Sequence, residues 1–285
     1  MTDLRDAFFE AFIELSAANK KIVLLSVDMG SQVIKSKGHL LGERYINVGV
    51  SEQNAVSLAA GLASQGFIPF VYGISSFLVN RPRAQIRHDA IIANNNINLI
   101  GSGPGLAYDL DGPSHHCLDD IQLMRSLPGI KIYSPFDAET AALAVQYSVD
   151  SKCSTYCRLD KGTYPPRSKS LINIRDLYIK PGDPENWIVS SGVVAHKIEE
   201  DDGRSEMVVF GVTESTGSQI ADVIPDNATI SVNEEAHISG GILSLIAEAN
   251  LLQNKKWTFA GVKFENKFVQ EKWPRDKLFE LYCDG

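Results

Sequence analysis

The chain has 285 residues, of which 44% are hydrophobic and 22% charged, so it is long enough to bury a full core in one or two domains. Its net charge of −8 argues against a surface for nucleic acid or for an anionic membrane. The first residues are charged and helix-like rather than typical of a signal peptide, and no apolar run approaches the roughly 18 residues that span a bilayer. We therefore expect a cytoplasmic protein.

Helical and extended patterns alternate over the first 160 residues. A helix at 3–18 precedes a strand at 21–27, and a strand at 45–50 leads into a helix that begins at Glu52. Further buried strands are predicted at 67–72, 97–101, 130–133 and 154–158, with helices at 77–94, 118–127 and 137–149. This alternation predicts an α/β fold, in which helices cover both faces of a parallel sheet.

The composition changes after residue 160. The segment 161–185 is rich in Lys, Pro, Ser and Gly, which is typical of a linker. A second, smaller α/β unit is predicted beyond it, with strands at 187–190, 207–210, 229–232 and 257–262. The predicted organisation is therefore a domain at 1–160, a linker at 161–185 and a domain at 186–285.

One carboxylate stands where the strand at 45–50 turns into an apolar helix. Ser51 is placed to cap the helix, and Glu52 follows in its first turn, within the run Gly-Val-Ser-Glu-Gln-Asn. The helix dipole and the free backbone N–H groups favour a negative charge at this position. The local pattern alone therefore favours a structural role for Glu52.

The wider sequence changes this interpretation. The run Gly-Val-Ser-Glu-Gln-Asn, followed by Ala-Ala-Gly-Leu-Ala, resembles the pyrimidine-binding domain of the transketolase family, and the resemblance covers most of the chain. It implies thiamine diphosphate as cofactor, with Glu52 hydrogen-bonded to a ring nitrogen of the aminopyrimidine so that the cofactor can deprotonate its own thiazolium carbon. It also implies that Phe77 and Asp28 bind the cofactor. Asn80 and Arg83 depart from the family's aromatic residues, which implies a pocket that is more polar or is closed by other residues.

A Gly-Pro turn carries an acid and two imidazoles in the run Asp-Gly-Pro-Ser-His-His. One explanation of this run is that Asp111 forms the turn and that His115 is a capping or surface residue. The transketolase resemblance implies instead that Asp111 and His115 reach the hydroxyls of the donor sugar, where a neutral imidazole can move a proton as a carbon–carbon bond breaks. His116 stands where many relatives have glutamine, and it is grouped with the substrate-binding residues.

Two arginines correspond to family residues that bind the terminal phosphate of the sugar. They are Arg158 and Arg5, and bidentate guanidinium geometry suits a phosphate group. An ion-paired or surface arginine explains either of them equally well. Gly103 lies near the place of a family histidine on the phosphate side, so the resemblance leaves the phosphorylation state of the acceptor open.

The remaining patterns point to no further cofactor. The four cysteines are Cys117, Cys153, Cys157 and Cys283. Because they lack the spacing of a structural zinc site, we expect them to be free thiols. No metal ligand is predicted in this chain. The glycine-rich run at 101–105 lacks the spacing of a dinucleotide fingerprint. The segment 234–241 resembles the C-terminal domain of the transketolase superfamily and is expected to dock the two domains.

The chain also lacks the Gly-Asp-Gly and downstream Asn with which this enzyme class holds Mg²⁺ on the diphosphate. The resemblance therefore implies an N-terminal partner subunit that holds the diphosphate and Mg²⁺, a heterotetramer of two plus two chains, and transfer of a two-carbon ketol unit from a ketose to an aldose. Two alternatives stay open. One is a related thiamine enzyme, either a deoxyxylulose-phosphate synthase or the beta subunit of a 2-oxo acid dehydrogenase, and the other is a non-catalytic scaffold subunit.

Overall fold

The computed structural model describes residues 2–198, 203–237, 239–260 and 267–282. Within these ranges the strands form two sheets. The strands of the first sheet are, in spatial order, β11 (Gly211–Val212), β5 (Lys131–Tyr133), β6 (Thr155–Leu159), β4 (Asn98–Ser102), β3 (Ile68–Ile74), β1 (Ile22–Ser26) and β2 (Tyr45–Asn47). All neighbours are parallel except β11, which runs antiparallel to β5. Both faces of such a sheet are buried, which explains why every residue of β1 and of β6 is buried.

Helices flank the first sheet. They are α1 (Leu4–Ala18), α2 (Gln32–Lys37), α3 (Glu52–Ser64), α4 (Ser75–Asn80), α5 (Arg83–Gln85), α6 (Asp120–Arg125) and α7 (Ala138–Asp150). Side-chain caps start several of them: Asp3 accepts from the N–H of Arg5, and Asp137 forms a capping box with Thr140. The single helix predicted at 77–94 is instead broken into α4, α5 and a π-helical stretch at Ile86–Ile92. Pro82 lies at the break, and it has no N–H to continue the helix.

The second sheet has six strands. In spatial order they are β13 (Thr258–Ala260), β12 (Thr229–Asn233), β9 (Asp183–Ser191), β10 (Arg204–Val209), β8 (Leu177–Lys180) and β7 (Ile172–Ile174), and its helices are α8 (Thr216–Val223), α9 (Ile242–Leu252) and α10 (Arg275–Tyr282). The four strands from β13 to β10 are parallel, and β8 and β7 are antiparallel to their neighbours.

The prediction of a linker at 161–185 is wrong for its second half, because that half contains β7, β8 and the first residues of β9. β7 is an exposed edge strand, and the turn between it and β8 consists of Arg175 and Asp176, both with positive φ. An edge strand of only three residues followed by a polar turn is too short to show a strand pattern in the sequence, although β8 is buried against β10. The other domain limits stay predictions.

Aromatic side chains fill the layer between α1 and the first sheet. Phe9 of α1 meets Tyr72 of β3 edge to face with ring centroids 4.8 Å apart, and Phe12 meets Phe70 at 5.1 Å. Each such pair contributes about 0.5–1.5 kcal/mol beyond the burial of its area. This packing holds β3, whose carboxyl end leads directly into α4 and so positions Phe77. In the described part of the chain, none of the helices has the length and apolar character needed to cross a membrane.

Candidate functional site

Glu52 is the first residue of α3 and lies almost completely buried, with 5% of its surface exposed. Its Oε1 accepts a hydrogen bond of 2.8 Å from Nη1 of Arg81. Ser51 occupies the N-cap position, but its side chain makes no capping hydrogen bond, so the predicted cap is wrong in this respect. A cleft of about 390 Å³ opens here and is lined by Val50, Ser51, Glu52, Gln53 and Arg81. The predicted carboxylate is therefore at the wall of a ligand-sized cleft.

The site extends from Glu52 to the rings of Phe77 and His115. The guanidinium of Arg81 lies over the ring of Phe77, with its Cζ 4.0 Å from the ring centroid. The ring of His115 meets the ring of Phe77 edge to face with centroids 5.0 Å apart. The structure therefore brings together three of the residues that the sequence predicts for the site, namely Glu52, Phe77 and His115, with Arg81 between the first two.

His115 is held by the loop that connects β4 to α6. Its Nδ1 is 3.1 Å from the hydroxyl of Ser114, and its ring meets that of Tyr108 with centroids 5.8 Å apart. Gly105 and Cys117 form a backbone bridge that closes the base of the loop, with both N–H···O distances 2.8 Å. The imidazole is therefore packed between two aromatic rings on a closed loop.

The other two residues of the acid–imidazole run have different environments. Asp111 is exposed at the tip of the loop, next to Gly112, whose φ of +83° permits the turn. His116 is buried, and its Nε2 is 3.2 Å from the carbonyl oxygen of Asp109. Within the described residues its Nδ1 has no hydrogen-bond partner. His116 thus holds the loop backbone, and its role in substrate binding stays a prediction.

Asp28 follows β1 and has a φ of +51°, in the left-handed region that few non-glycine residues adopt. Its N–H donates to the side-chain oxygen of Asn47 at 3.2 Å, and the same oxygen accepts from the N–H of Gly49 at 3.0 Å. Asn47 ends β2, just before Glu52. The exposed carboxylate of Asp28 therefore lies at the same sheet edge as the cleft, and its contact with a cofactor stays a prediction.

Both arginines that were predicted to bind phosphate are ion-paired. Nε of Arg158 lies 2.7 Å from Oδ2 of Asp120, and both side chains are buried. Burial lowers the pKa of Arg158, but the charge and hydrogen bond of Asp120 outweigh it and raise the pKa above its ordinary value. Nε of Arg5 lies 3.1 Å from Oδ1 of Asp3. Both arginines thus form ion pairs within the chain, and their binding to a phosphate stays a prediction.

A second charged cluster joins the loop of His115 to the second half of the chain. The guanidinium of Arg275 donates to Asp160 at 2.7 Å and to Glu235 at 2.6 Å, and the backbone N–H of Arg275 donates to the carboxylate of Asp109 at 2.8 Å. Oε2 of Glu235 also accepts from the N–H of Leu106 at 3.0 Å. Because Asp109 and Leu106 belong to the loop, α10 and the segment after β12 fix its position.

His237 and Gly240, in the segment 234–241, contact α6 and the residues just before it, and the docking role of the segment stays a prediction. Nη1 of Arg125 donates to the carbonyl oxygen of Gly240 at 3.0 Å, and the N–H of His237 donates to that of Leu118 at 2.7 Å. A Cβ at Gly240 would lie 2.4 Å from the side chain of Gln122, so only glycine fits this contact.

The sequence interpretation missed Arg81 and the cluster of Arg275. Arg81 could have been found from its spacing, since it lies four residues after Phe77 and such residues are neighbours on a helix. No comparable signal joins Arg275 to Asp160 and Glu235, which are far apart in the chain.

The described residues contain no group of three or more His, Cys, Asp or Glu side chains arranged to hold a metal ion. Cys117, Cys153 and Cys157 are free thiols, and Cys283 lies outside the described residues.

The residues present suit an aminopyrimidine ring. Such a ring is flat and offers hydrogen-bonding nitrogens, and Glu52 and Phe77 offer a buried carboxyl group and an aromatic face. The guanidinium of Arg81, itself flat and rich in N–H donors, contacts both of them at once. This contact demonstrates that the two side chains can bind one planar donor group together.

Fold and site together define an α/β protein with a candidate ligand cleft at the carboxyl edge of a parallel sheet. The transketolase, pyrimidine-binding domain family matches residues 1–167. The chain belongs to this family, and the fold predicted from the sequence is confirmed.

The relatives of the chain include proteins with transketolase names. The chain is 32% identical over 157 residues to the 6-deoxy-6-sulfo-D-fructose transketolase subunit SqwH of Clostridium sp. (strain MSTE9), and the match covers 55% of this chain and 49% of that protein. It is 33% identical over 166 residues to an apulose-4-phosphate transketolase subunit of Phocaeicola vulgatus, with 58% and 53% covered. The chain thus spans about half the length of these relatives.

Among solved structures, one described as a split gene transketolase, inactive beta4 tetramer, shares the fold. The TM-score is 0.79 at 24% identity, and the match covers 98% of this chain and 93% of that one.

Proposed function

We propose that this chain is the pyrimidine-binding and C-terminal subunit of a two-chain, thiamine diphosphate-dependent transketolase with a role in carbohydrate metabolism. The observation that carries the proposal is the buried Glu52 at the wall of a cleft, joined through Phe77 to the ring of His115. The names of the two relatives, both transketolase subunits, support it. The reaction would transfer a two-carbon ketol unit from a ketose to an aldose.

Each site residue has one task in this proposal. The cofactor, when bound, supplies a carbon nucleophile. Glu52 would hold a ring nitrogen of the aminopyrimidine, and Phe77 would contact the face of the ring. His115 would move the proton of a sugar hydroxyl, and the exposed carboxylate of Asp111 would orient a hydroxyl at the mouth of the site.

The diphosphate and Mg²⁺ would be held by a separate N-terminal subunit, since this sequence lacks the Gly-Asp-Gly motif for them. The word "subunit" in the names of both relatives supports such a partner. A heterotetramer of two plus two chains in the cytoplasm, acting on sugar substrates, completes the proposal.

The proposal is tested by calorimetric titration of thiamine diphosphate and Mg²⁺ into this chain alone and into its complex with the product of the neighbouring gene. We expect tight, saturable binding only in the complex, and far weaker binding to this chain alone through the pyrimidine contacts. An intact complex that binds no cofactor would favour the scaffold alternative.

Replacing Glu52 by Ala tests the mechanism in the same complex. We expect turnover to fall by about 10²–10⁴-fold, the range for loss of a positioned acid–base group, with the fold intact by circular dichroism. Glu139→Ala, an exposed glutamate in the first turn of α7, serves as the control and should leave turnover unchanged. Full activity of Glu52→Ala would reject the assigned role.

A further inference from the structure

Arg81 contacts both side chains that the proposed function assigns to the aminopyrimidine. Its Nη1 donates to Oε1 of Glu52 at 2.8 Å, and its Cζ lies 4.0 Å from the centroid of the Phe77 ring. A guanidinium is planar, carries N–H donors in one plane and binds to aromatic faces, so it shares its recognition chemistry with a protonated aminopyrimidine. One side chain of the protein thus makes the contacts expected of the ring.

We propose that Arg81 occupies the aminopyrimidine position in the free chain and must leave it when the cofactor binds. This inference rests on the proposed function of Glu52 and Phe77. Oε1 of Glu52 is already taken by the guanidinium, and the same guanidinium covers one face of Phe77. Two planar groups cannot make both contacts at once, so the ring and Arg81 compete.

The surroundings of Arg81 allow this exchange. Its side chain is 45% exposed, whereas that of Glu52 is 6% exposed, so the arginine can swing into water while the carboxyl group stays in place. Its backbone is held independently, because its carbonyl oxygen accepts from the side chain of Gln53 at 3.2 Å and its N–H donates to the carbonyl oxygen of Phe77 at 3.0 Å. Among the described residues, Glu52 is the one side chain to which the guanidinium donates. Only side-chain rotation is needed to open the position.

The competition is tested by titrating thiamine, which lacks the diphosphate, into the isolated chain by calorimetry. Arg81→Gln should bind thiamine about tenfold more tightly than the unmodified chain, since it loses one partly exposed ion pair and one cation–π contact that compete with the ring. Arg87→Gln removes the same charge from an exposed position of the neighbouring π-helical stretch and should leave the affinity unchanged. Glu52→Gln in the Arg81→Gln background should abolish the gain.

Equal or weaker binding by Arg81→Gln, with a native circular dichroism spectrum, overturns the inference. Absence of thiamine binding by every variant overturns it too, because the freed Glu52 and Phe77 would then not bind a pyrimidine in this chain. Neither result decides the proposed function, which is judged by binding of thiamine diphosphate to the two-chain complex. A gain that appears equally in Arg87→Gln would assign the effect to net charge and likewise overturn it.

Discussion

Gly103 illustrates how a single residue shapes the candidate site. Its φ is +70°, and a Cβ built on it would lie 2.2 Å from Cε2 of Tyr108. The ring of Tyr108 therefore packs directly on the glycine, and it also forms one of the two aromatic contacts of His115. The resemblance put a family histidine near this position, and the structure fills the space with Tyr108 instead.

Gly103→Ala should displace Tyr108 and destabilise the chain. We expect a loss of about 1–3 kcal/mol from the forced contact, in addition to the cost of a left-handed alanine. Gly66→Ala is the matched control, since its φ is +81° and nothing lies within 4 Å of the added Cβ. Chemical denaturation measures the unfolding free energy of both variants, and the difference between their losses is the cost of the forced contact with Tyr108. Equal losses would show that the Tyr108 ring moves aside without cost.

Glu52, Phe77 and His115, which the sequence predicts for the site, lie near one another because a motif preserves which residues follow each strand of a parallel sheet, and their roles stay predictions. The sequence could not predict the pairing of Arg158 with Asp120, which depends on how β6 and α6 pack. Whether an arginine binds a ligand or a carboxylate is decided by such tertiary contacts.

Among the elements, the start of α9 is held by a buried carboxyl group. Both oxygens of Glu234 accept backbone N–H groups of the first turn, from Ile242 at 2.7 Å and from Leu243 at 3.0 Å. Gly241 permits this approach, since a Cβ there would lie 2.4 Å from Oε2 of Glu234. Burial outweighs the two hydrogen bonds and raises the pKa of Glu234 to about 6.

This raised pKa predicts a pH-dependent stability. The folded chain binds the proton of Glu234 more tightly than the unfolded chain does, so the contribution of this group is greatest below pH 4.5 and is lost as the pH rises through about 6. The shift from 4.5 to about 6 corresponds to about 2 kcal/mol. We expect the unfolding free energy of the unmodified chain to fall by about this amount relative to Glu234→Gln across the window. If the unfolding free energies of the two proteins change with pH in the same way, the raised pKa does not belong to Glu234.

The helices and strands were predicted best where burial is uniform. β1, β4 and β6 lie within one residue of their predicted limits, and every residue in them is buried, as expected for strands covered on both faces. β7 was missed because it is exposed along its length and gives no such pattern. The π-helical stretch after α5 was read as an ordinary helix, since its periodicity differs little from that of an α-helix over seven residues.

In the whole molecule, one arginine joins parts of the chain that are distant in sequence. Burial raises the pKa of Asp160, and the side chain of Arg275 provides the counter-charge for both Asp160 and Glu235. The loop that carries His115 is tied to the same cluster through Asp109 and Leu106. The second half of the chain thus helps to position a residue of the first.

Arg275→Met should destabilise the chain by about 3–5 kcal/mol, because it leaves two buried carboxylates without their counter-charge. Lys169→Met is the control: its pair with Glu139 spans 3.7 Å between exposed side chains, and its loss should cost no more than about 1 kcal/mol. Thermal and denaturant unfolding of both variants measure the difference. A loss for Arg275→Met as small as that of the control would mean that the cluster is not a tie between the halves.

The short strand β11 has a consequence for how this architecture can be divided. It comes from the second half of the chain, yet it completes the edge of the first sheet beside β5. A chain shortened to the family match at 1–167 would lose it and expose the backbone of β5 to other molecules. The two halves are therefore not interchangeable modules, and recombination between relatives is expected to succeed only when β5 and β11 are inherited from the same parent.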